Sequence, residues 1–372
     1  MRVAFMHRRL RGGGTEGDLR RMAEGLVARG HSVHVFCACR DAGPPGVTVH
    51  PVPIVPAGRV ARLLSFAVLA PRAVARERWD VVVGFGRTLR QDVVRVGGGT
   101  HRRYLATMEA AGLRGRARGP YHRAILWLER RMFAPGAARR VLAVSALAAA
   151  EVAGDYGVPA DRIAIVYNGV DFVRFDPALR STAGAAARAA LGVPAGWRVC
   201  VAVGTGFRRK GFDLLLDLWR TAPPPDTMLV LVGGDERLAA WRRTAEERPL
   251  AGRVAVTGPR DDVPALLAAA DVACVPSRQE AFGNVVLEAC AAGVPVVTSR
   301  RAGAAELLDG PLATLVVDDP ADLGGLAAGI GRALGQEAPA LRRAARERAE
   351  RQPWSRHLDE VEALLEDVAR GG

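Results

Sequence analysis

Val272-Ala273-Cys274-Val275-Pro276-Ser277-Arg278-Gln279-Glu280-Ala281-Phe282-Gly283-Asn284-Val285-Val286-Leu287-Glu288 runs from a short apolar segment, through a proline and a glycine turn, into a second apolar segment. Gly293-Val294-Pro295 marks the end of the helix that this second segment opens. The reading is a buried strand, a tight turn and a helix, the unit from which parallel α/β sheets are assembled. Gly283 and Asn284 then fall at a helix N-terminus, where unpaired amides and the helix macrodipole favour a phosphate. Glu280 precedes the turn and Glu288 lies one turn into the helix, so two carboxylates edge one phosphate pocket and can accept hydrogen bonds from sugar hydroxyls. A plainer reading makes Glu288 a solvated helix residue and Glu280 a cap. Two acids flanking a glycine turn inside an otherwise apolar run argue against it.

The same alternation extends in both directions. Upstream, Arg2–Met6, Ser32–Phe36, Val81–Val83, Val93–Val96, Val141–Val144 and Ile163–Val166 read as strands, with helical spacing filling most gaps. The first helix is expected after Gly12-Gly13-Gly14, through Leu19, Met22, Leu26 and Val27. After a break rich in Ala, Pro and Gly at Pro177–Gly196, read as a linker, the pattern restarts with Arg198–Val203, Met228–Val232, Val254–Val256, Val272–Val275 and Val294–Thr298. The expected architecture is α/β: two Rossmann-like domains, residues 1–170 and 171–352, facing a ligand cleft. Residues 353–372 form an amphipathic helix returning to the first domain, with Leu358, Val361, Leu364, Leu365 and Val368 on one stripe.

A second constellation lies in Val203-Gly204-Thr205-Gly206-Phe207-Arg208-Arg209-Lys210-Gly211. Lys210 is the one lysine among 52 basic residues, the rest being arginine. A compact ammonium on a flexible stem is not equivalent to a planar guanidinium, so its retention here points to a close approach to phosphate oxygens. A surface lysine kept by accident is the alternative. The segment is not a Walker loop, since the glycine spacing and the Ser/Thr after the lysine are missing, and it lacks G-x-G-x-x-G. Two cations beside a helix start still suit a diphosphate leaving group.

Composition bounds the function. Apolar residues make up 49% and charged residues 24%, as in packed proteins. No apolar run is long enough to span a bilayer and no leader precedes the first strand, so a cytoplasmic protein is expected. The five cysteines (Cys37, Cys39, Cys200, Cys274, Cys290) are scattered through apolar runs, the pattern of buried free thiols. Net charge is +13, unevenly shared: residues 1–165 hold 27 Arg and 12 acids (+15), residues 166–372 hold 25 basic and 27 acidic groups (−2). Such a field draws anionic partners. Arg114, Arg116, Arg118, Arg123, Arg130 and Arg131 surround Ile125-Leu126-Trp127-Leu128, read as an amphipathic surface helix that docks on the anionic inner face of the cell membrane. The plainer reading packs this helix on the sheet with its arginines in water.

Together, the E-x7-E pair Glu280/Glu288, the Arg209-Lys210-Gly211 turn and Gly13-Gly14 before the first helix resemble retaining glycosyltransferase family 4, of GT-B fold. Arg29-Gly30-His31-Ser32-Val33, Tyr167-Asn168-Gly169-Val170-Asp171 and Gly293-Val294-Pro295-Val296-Val297 match further landmarks of that family, in order, over nearly the whole chain. Phe207-Arg208-Arg209-Lys210-Gly211 and Gly97-Gly98-Gly99-Thr100-His101-Arg102 look most like the lipopolysaccharide core glucosyltransferases.

The resemblance implies roles. Glu288 binds the nucleotide ribose and Glu280 the donor sugar; amides of Ala281, Phe282, Gly283, Asn284 and Val285 touch sugar and diphosphate. Arg209 and Lys210, beside Gly204, hold the diphosphate; Gly13 and Gly14 let the first domain's backbone approach it. His101 aligns with a histidine that ends a strand and faces the sugar's C6 region. The catalytic set is then Glu280, His101, Lys210 and Arg209, with no metal and no cofactor. Arg301-Ala302-Gly303-Ala304-Ala305-Glu306 and Ala313 depart from the family's glycine pattern and leave the donor-loop geometry open.

The implied activity is a retaining transfer of a sugar, glucose by resemblance, from a nucleotide diphosphate, UDP by resemblance, to a lipid-linked or polysaccharide-core acceptor. A GT-B nucleotide-sugar epimerase would instead give product without acceptor. A nucleic-acid-binding protein would fit the charge, but basic residues are not interleaved with aromatics, which are 5% of the chain, so no nucleic-acid partner is expected.

Overall fold

A computed structural model describes residues 1–10, 13–38, 43–112 and 119–371; Gly12, Cys39, Arg114, Arg116 and Arg118 lie outside the described residues. The chain divides into two units, Met1–Asn168 with Ser355–Gly372, and Gly169–Trp354. Each is built on one wholly parallel sheet.

In the first unit the strands are β1 (Arg2–Met6), β2 (Ser32–Cys37), β3 (Thr48–Pro51), β4 (Val81–Gly84), β5 (Val93–Val96), β6 (Arg140–Ala143) and β7 (Ile163–Ile165), in the order β3-β2-β1-β4-β5-β6-β7. Helices α1 (Gly14–Ala28), α2 (Gly58–Val74), α3 (His101–Ala110), α4 (Pro120–Met132) and α5 (Ala146–Tyr156) occur between them. β3 is not among the strands expected from the sequence. Its side chains are half-buried or exposed, so this edge strand lacks the apolar run that marks its neighbours.

The second unit carries α6 (Ala183–Ala190), β8 (Arg198–Val203), α7 (Phe212–Thr221), β9 (Thr227–Val232), α8 (Leu238–Glu246) and β10 (Val254–Gly258). It continues with α9 (Val263–Ala269), β11 (Val272–Val275), α10 (Asn284–Ala291), β12 (Val296–Ser299), β13 (Val316–Val317), α11 (Leu323–Leu334) and α12 (Ala338–Glu350). Its order, β10-β9-β8-β11-β12-β13, is the 3-2-1-4-5-6 arrangement of a dinucleotide-binding sheet. β13, two residues long, was too short to read. The expected linker is corrected: Pro177–Ser181 is a 3-10 turn and α6 packs on α9, so this stretch is built into the second unit. Its alanines, strong helix formers, give the short helix a small face for close packing.

The C-terminal helix α13 (Trp354–Ala369) returns to the first unit. Val361, Leu365 and Val368 are fully buried in one core with Leu19, Met22 and Leu26 of α1, and Leu358 and Leu364 pack at its margin. The Arg29-Gly30-His31 landmark anchors this helix. Arg29 donates to Glu362 and Asp359, both at 2.6 Å, and His31 meets Glu362 at 2.5 Å. The return also softens the charge split. Residues 355–372 hold five acids and two arginines, so the first unit carries +12 (15 minus 3) and the second +1.

Removing a buried leucine leaves a cavity as well as losing transfer free energy. Leu365→Ala should therefore cost about 2–5 kcal/mol of first-unit stability, read from a denaturant midpoint, whereas exposed Arg356→Ala in the same helix should cost under about 0.5 kcal/mol.

Candidate active site

The two constellations singled out in the sequence meet at one place in the second unit. β8 and β11 are neighbours, and β8 is the strand at which the sheet order reverses, the position where open α/β sheets bind ligands beyond their carboxyl ends. The loop after β8 carries Gly204–Gly211; the loop after β11 carries Pro276–Gly283. Gly211 caps α7 at φ +73°, and a side chain there would collide with the carbonyl of Pro276. Only glycine allows this approach. The loops are then tied directly. Arg278 N–H donates to the Arg209 carbonyl (2.9 Å), and its guanidinium forks onto Asp213 of α7 (2.6 and 2.9 Å). Asp235, after β9, accepts the N–H of Phe207 (2.8 Å) and steadies the glycine turn.

Glu280 sits between both cations. Its carboxylate pairs with Lys210 and accepts from Arg209 at 2.7 Å. Lys210 is 7% exposed, its stem lying against Gly204, where a Cβ would come within 2.8 Å of Cε. Burial works to raise the Glu280 carboxyl, but the charges of Lys210 and Arg209 and the hydrogen bonds from both outweigh it and hold it at about 2. Burial pulls the Lys210 ammonium downward, and Arg209 adds to this; Glu280 and Glu288 pull it back. Glu288 thus lies within the field of Lys210, although five elements of sequence spacing separate their strands. Gly283 caps α10 at φ +92° and, having no side chain, contributes no acceptor to the first amides of the helix. Ala281 and Phe282 are buried; Asn284 and Val285 open the helix half-exposed. Gly204, Arg209, Lys210, Glu280, Ala281, Phe282, Gly283, Asn284, Val285 and Glu288 are therefore all placed on these two loops and the helix that follows.

Gly13, Gly14 and His101 belong to the first unit. Gly13 caps α1 in extended backbone and Gly14 is its first residue, after β1. His101 does not end a strand: β5 stops at Val96, and Gly97-Gly98-Gly99 leads to α3, of which His101 is the first residue. It is buried rather than a surface loop residue. Its N–H donates to both oxygens of Glu129 (3.0 and 2.9 Å) and its ring meets His122 at 2.9 Å. Burial first, then Arg87 and His122, drive its pKa down to about 3, so the ring is a neutral imidazole. Glu129 and His122 carry no signal in the sequence that marks them as partners of His101. Glu129 also accepts from Arg87 (2.8 Å) and Tyr156 (2.6 Å), partners on other elements that no local spacing announces.

The expected membrane helix is also changed. Ile125 and Leu128 of α4 are buried against Leu63 and Ala67 of α2, so the apolar face is spent within the unit. Trp127 remains 44% exposed, with Arg131 over its ring at 5.0 Å. Among the described residues no helix is long and apolar enough to cross a membrane. Cys37, Cys200, Cys274 and Cys290 are buried.

Residues 12–174 match the family described as Glycosyltransferase Family 4, and residues 185–352 match Glycosyl transferases group 1. The lipopolysaccharide glucosyltransferase WaaG of Escherichia coli is 26% identical over 83% of this chain and 82% of its own. A crystal structure of WaaG, a glycosyltransferase involved in lipopolysaccharide biosynthesis, superposes with a TM-score of 0.81 over 100% of both chains at 25% identity. The D-inositol 3-phosphate glycosyltransferase of Mycolicibacterium smegmatis is 32% identical over 63% of this chain. The chain spans 53% of that relative's length. Anabaena HepE, crystallised with UDP-glucose, shares the fold with a TM-score of 0.72 at 20% identity, over 98% of this chain and 99% of its own.

A carboxyl held below its ordinary value near 4.5 contributes stability that is full above that value, declines as pH falls and is gone below about 2. The stability advantage of the wild type over Glu280→Gln should therefore be flat from about pH 8 to 5, shrink below about 4.5 and vanish near 2. Denaturant melts across this range check it; an advantage that grows on acidification would show that Glu280 is protonated in the native state.

Proposed function

Because the chain belongs to the family 4 glycosyltransferases of GT-B fold, we propose that it moves a sugar from a nucleotide diphosphate to a lipid-linked or polysaccharide-core acceptor, with retention. The observation that carries this reading is the cluster of Lys210, Arg209 and Glu280 beside the N-terminus of α10. UDP is the proposed nucleotide and glucose the proposed sugar, on the likeness to WaaG and to HepE with its bound UDP-glucose.

In this reading the diphosphate competes with Glu280 for Lys210 and Arg209. As it takes over those cations, Glu280 turns to the sugar hydroxyls, while Glu288, on the next turn of α10, accepts from the ribose. The bond from C1 to the diphosphate oxygen breaks and the bond from the acceptor oxygen to C1 forms on the same face. The acceptor's proton passes to the departing diphosphate. Negative charge grows on the diphosphate as the bond breaks, so Lys210, Arg209 and the α10 amides stabilise the transition state more than the ground state. His101, neutral, offers a ring hydrogen bond to the sugar rather than a charge. Gly13 and Gly14 bring the backbone of α1 to the phosphates. The second unit thus serves the donor and the first the acceptor. The +12 of the first unit, with exposed Arg123, Arg130 and Trp127 on α4, supports a peripheral position on an anionic membrane face, in the cytoplasm.

Lys210→Arg keeps the charge but not the compact ammonium on its buried stem. Turnover of a nucleotide-sugar panel should fall about 30- to 1,000-fold, or roughly 2–4 kcal/mol, with the fold intact by circular dichroism. Wild-type turnover would remove Lys210 from the mechanism, and product formed without acceptor would point to an epimerase.

Glu288→Ala should weaken binding of free UDP and of UDP-sugar alike, since its proposed partner is the ribose. Glu280→Ala should leave UDP binding in place and damage use of the intact donor. Calorimetry on both ligands separates the roles; equal losses in the two variants would overturn the assignment.

A further inference from the structure

At the opposite ends of the central strands of the second sheet, a cavity of about 640 Å³ is lined by Arg180, Arg188, Trp197, Arg198, Asp271 and Arg342. It lies where β8 and β11 begin, whereas the cluster of Lys210 and Glu280 lies where they end. A strand of six residues spans roughly 20 Å, so the two places are separate. Three of the four guanidiniums converge here on one carboxylate, and Arg198 lines the same cavity. Asp271 pairs with Arg180 (2.6 Å), Arg188 (3.1 Å) and Arg342 (3.2 Å). A fifth arginine, Arg253, stacks over Trp197 at 5.7 Å.

Part of this arrangement is structural. Arg180 donates to the Ala270 carbonyl (2.7 Å), Arg188 to Ala269 (2.9 Å) and Trp197, Arg198 to Leu334 (3.2 Å) and Arg342 to Gly293 (3.5 Å). These bonds satisfy strand starts and helix ends, but they are to neutral carbonyls and leave the charge unbalanced. Asp271 is the one acid among the lining residues, so four guanidiniums leave an excess of +3. The four also present about twenty N–H donors, at five per guanidinium, and make ten hydrogen bonds among the described residues. Burial, and next the charge of Arg180, draw Arg342 below its ordinary pKa, as crowding of like charge requires. This concentration occurs in a unit whose net charge is only +1, so general basicity does not account for it.

We propose that this cavity is a second anion site, distinct from the donor site, that takes a phosphorylated small metabolite bearing at least two negative charges. Guanidinium forks match phosphate oxygens two at a time, and a cavity of this volume holds more than a lone phosphate. Trp197 supplies an apolar wall for the carbon skeleton.

Inorganic diphosphate is the probe, titrated by calorimetry at about 0.15 M chloride so that weak surface attraction is screened. Three proteins are compared: wild type, Lys210→Gln, which impairs the donor site, and Arg180→Gln/Arg198→Gln, which strips the two exposed arginines of the cavity. The expected result is saturable binding that survives in Lys210→Gln and weakens at least tenfold in the double variant, while turnover of nucleotide-sugar by the double variant stays measurable. Should the double variant fail to fold, Arg198→Gln alone, which loses one hydrogen bond to a carbonyl, should weaken the same binding at least threefold. Diphosphate binding that is unchanged in the cavity variants, or that disappears in Lys210→Gln, would overturn the proposal.

Discussion

The second unit depends on a carboxylate that stays ionised while buried. Burial opposes the charge of Glu280, and it keeps that charge because the charges of Lys210 and Arg209 and the hydrogen bonds from both outweigh the cost. The dependence runs the other way too. Without Glu280, two cations would share a small volume with only Glu288 to relieve Lys210. Everything around the pair fixes its geometry: the glycine at 211 that lets one loop touch the other, the Arg278–Asp213 fork, and Asp235 under the glycine turn. Such a pair is an exchangeable one. In the proposed transfer the diphosphate replaces the carboxylate with no net loss of partners for the cations, so the site is held ready without collapsing.

The first unit solves a related problem with different residues. Arg95 has a side chain wholly withdrawn from solvent, pairs with Asp18 of α1 (2.9 Å) and reaches Asn168 (3.0 Å), which itself donates to Asp18 (3.1 Å). The Tyr167-Asn168-Gly169 landmark is therefore a structural tie between β5, α1 and the end of the first unit's leading segment. Arg29 and Arg87 are likewise committed to acids within the unit. These three arginines are thus internal wiring rather than surface charge.

How much of this was legible follows from distance along the chain. Apolar runs of three to six residues marked the strands, and glycine next to charge marked Lys210, Glu280 and Gly283, because these signals are local. The edge strand Thr48–Pro51 and the two-residue strand Val316–Val317 carry too little apolar pattern to be seen. Glu129 was invisible because its meaning comes from His101, Arg87 and Tyr156, each brought to it by the fold. The same holds for Asp271 and its arginines, which span positions 180 to 342. Ile125 and Leu128 were legible as apolar but not as occupied, since the sequence does not say that α2 covers them.

The return of α13 to the first unit has a consequence for how the protein is made. The core around Leu19, Met22 and Leu26 lacks Val361, Leu365 and Val368 until the ribosome has translated the whole of the second unit, residues 169–354. At roughly 5–20 residues per second those 186 residues (354 − 169 + 1) take about 10–40 s. The second unit, contiguous in the chain, can close during that interval; the first must wait with part of α1 uncovered. The order of folding is thereby reversed from the order of synthesis, and the nascent first half is the segment that a chaperone would meet.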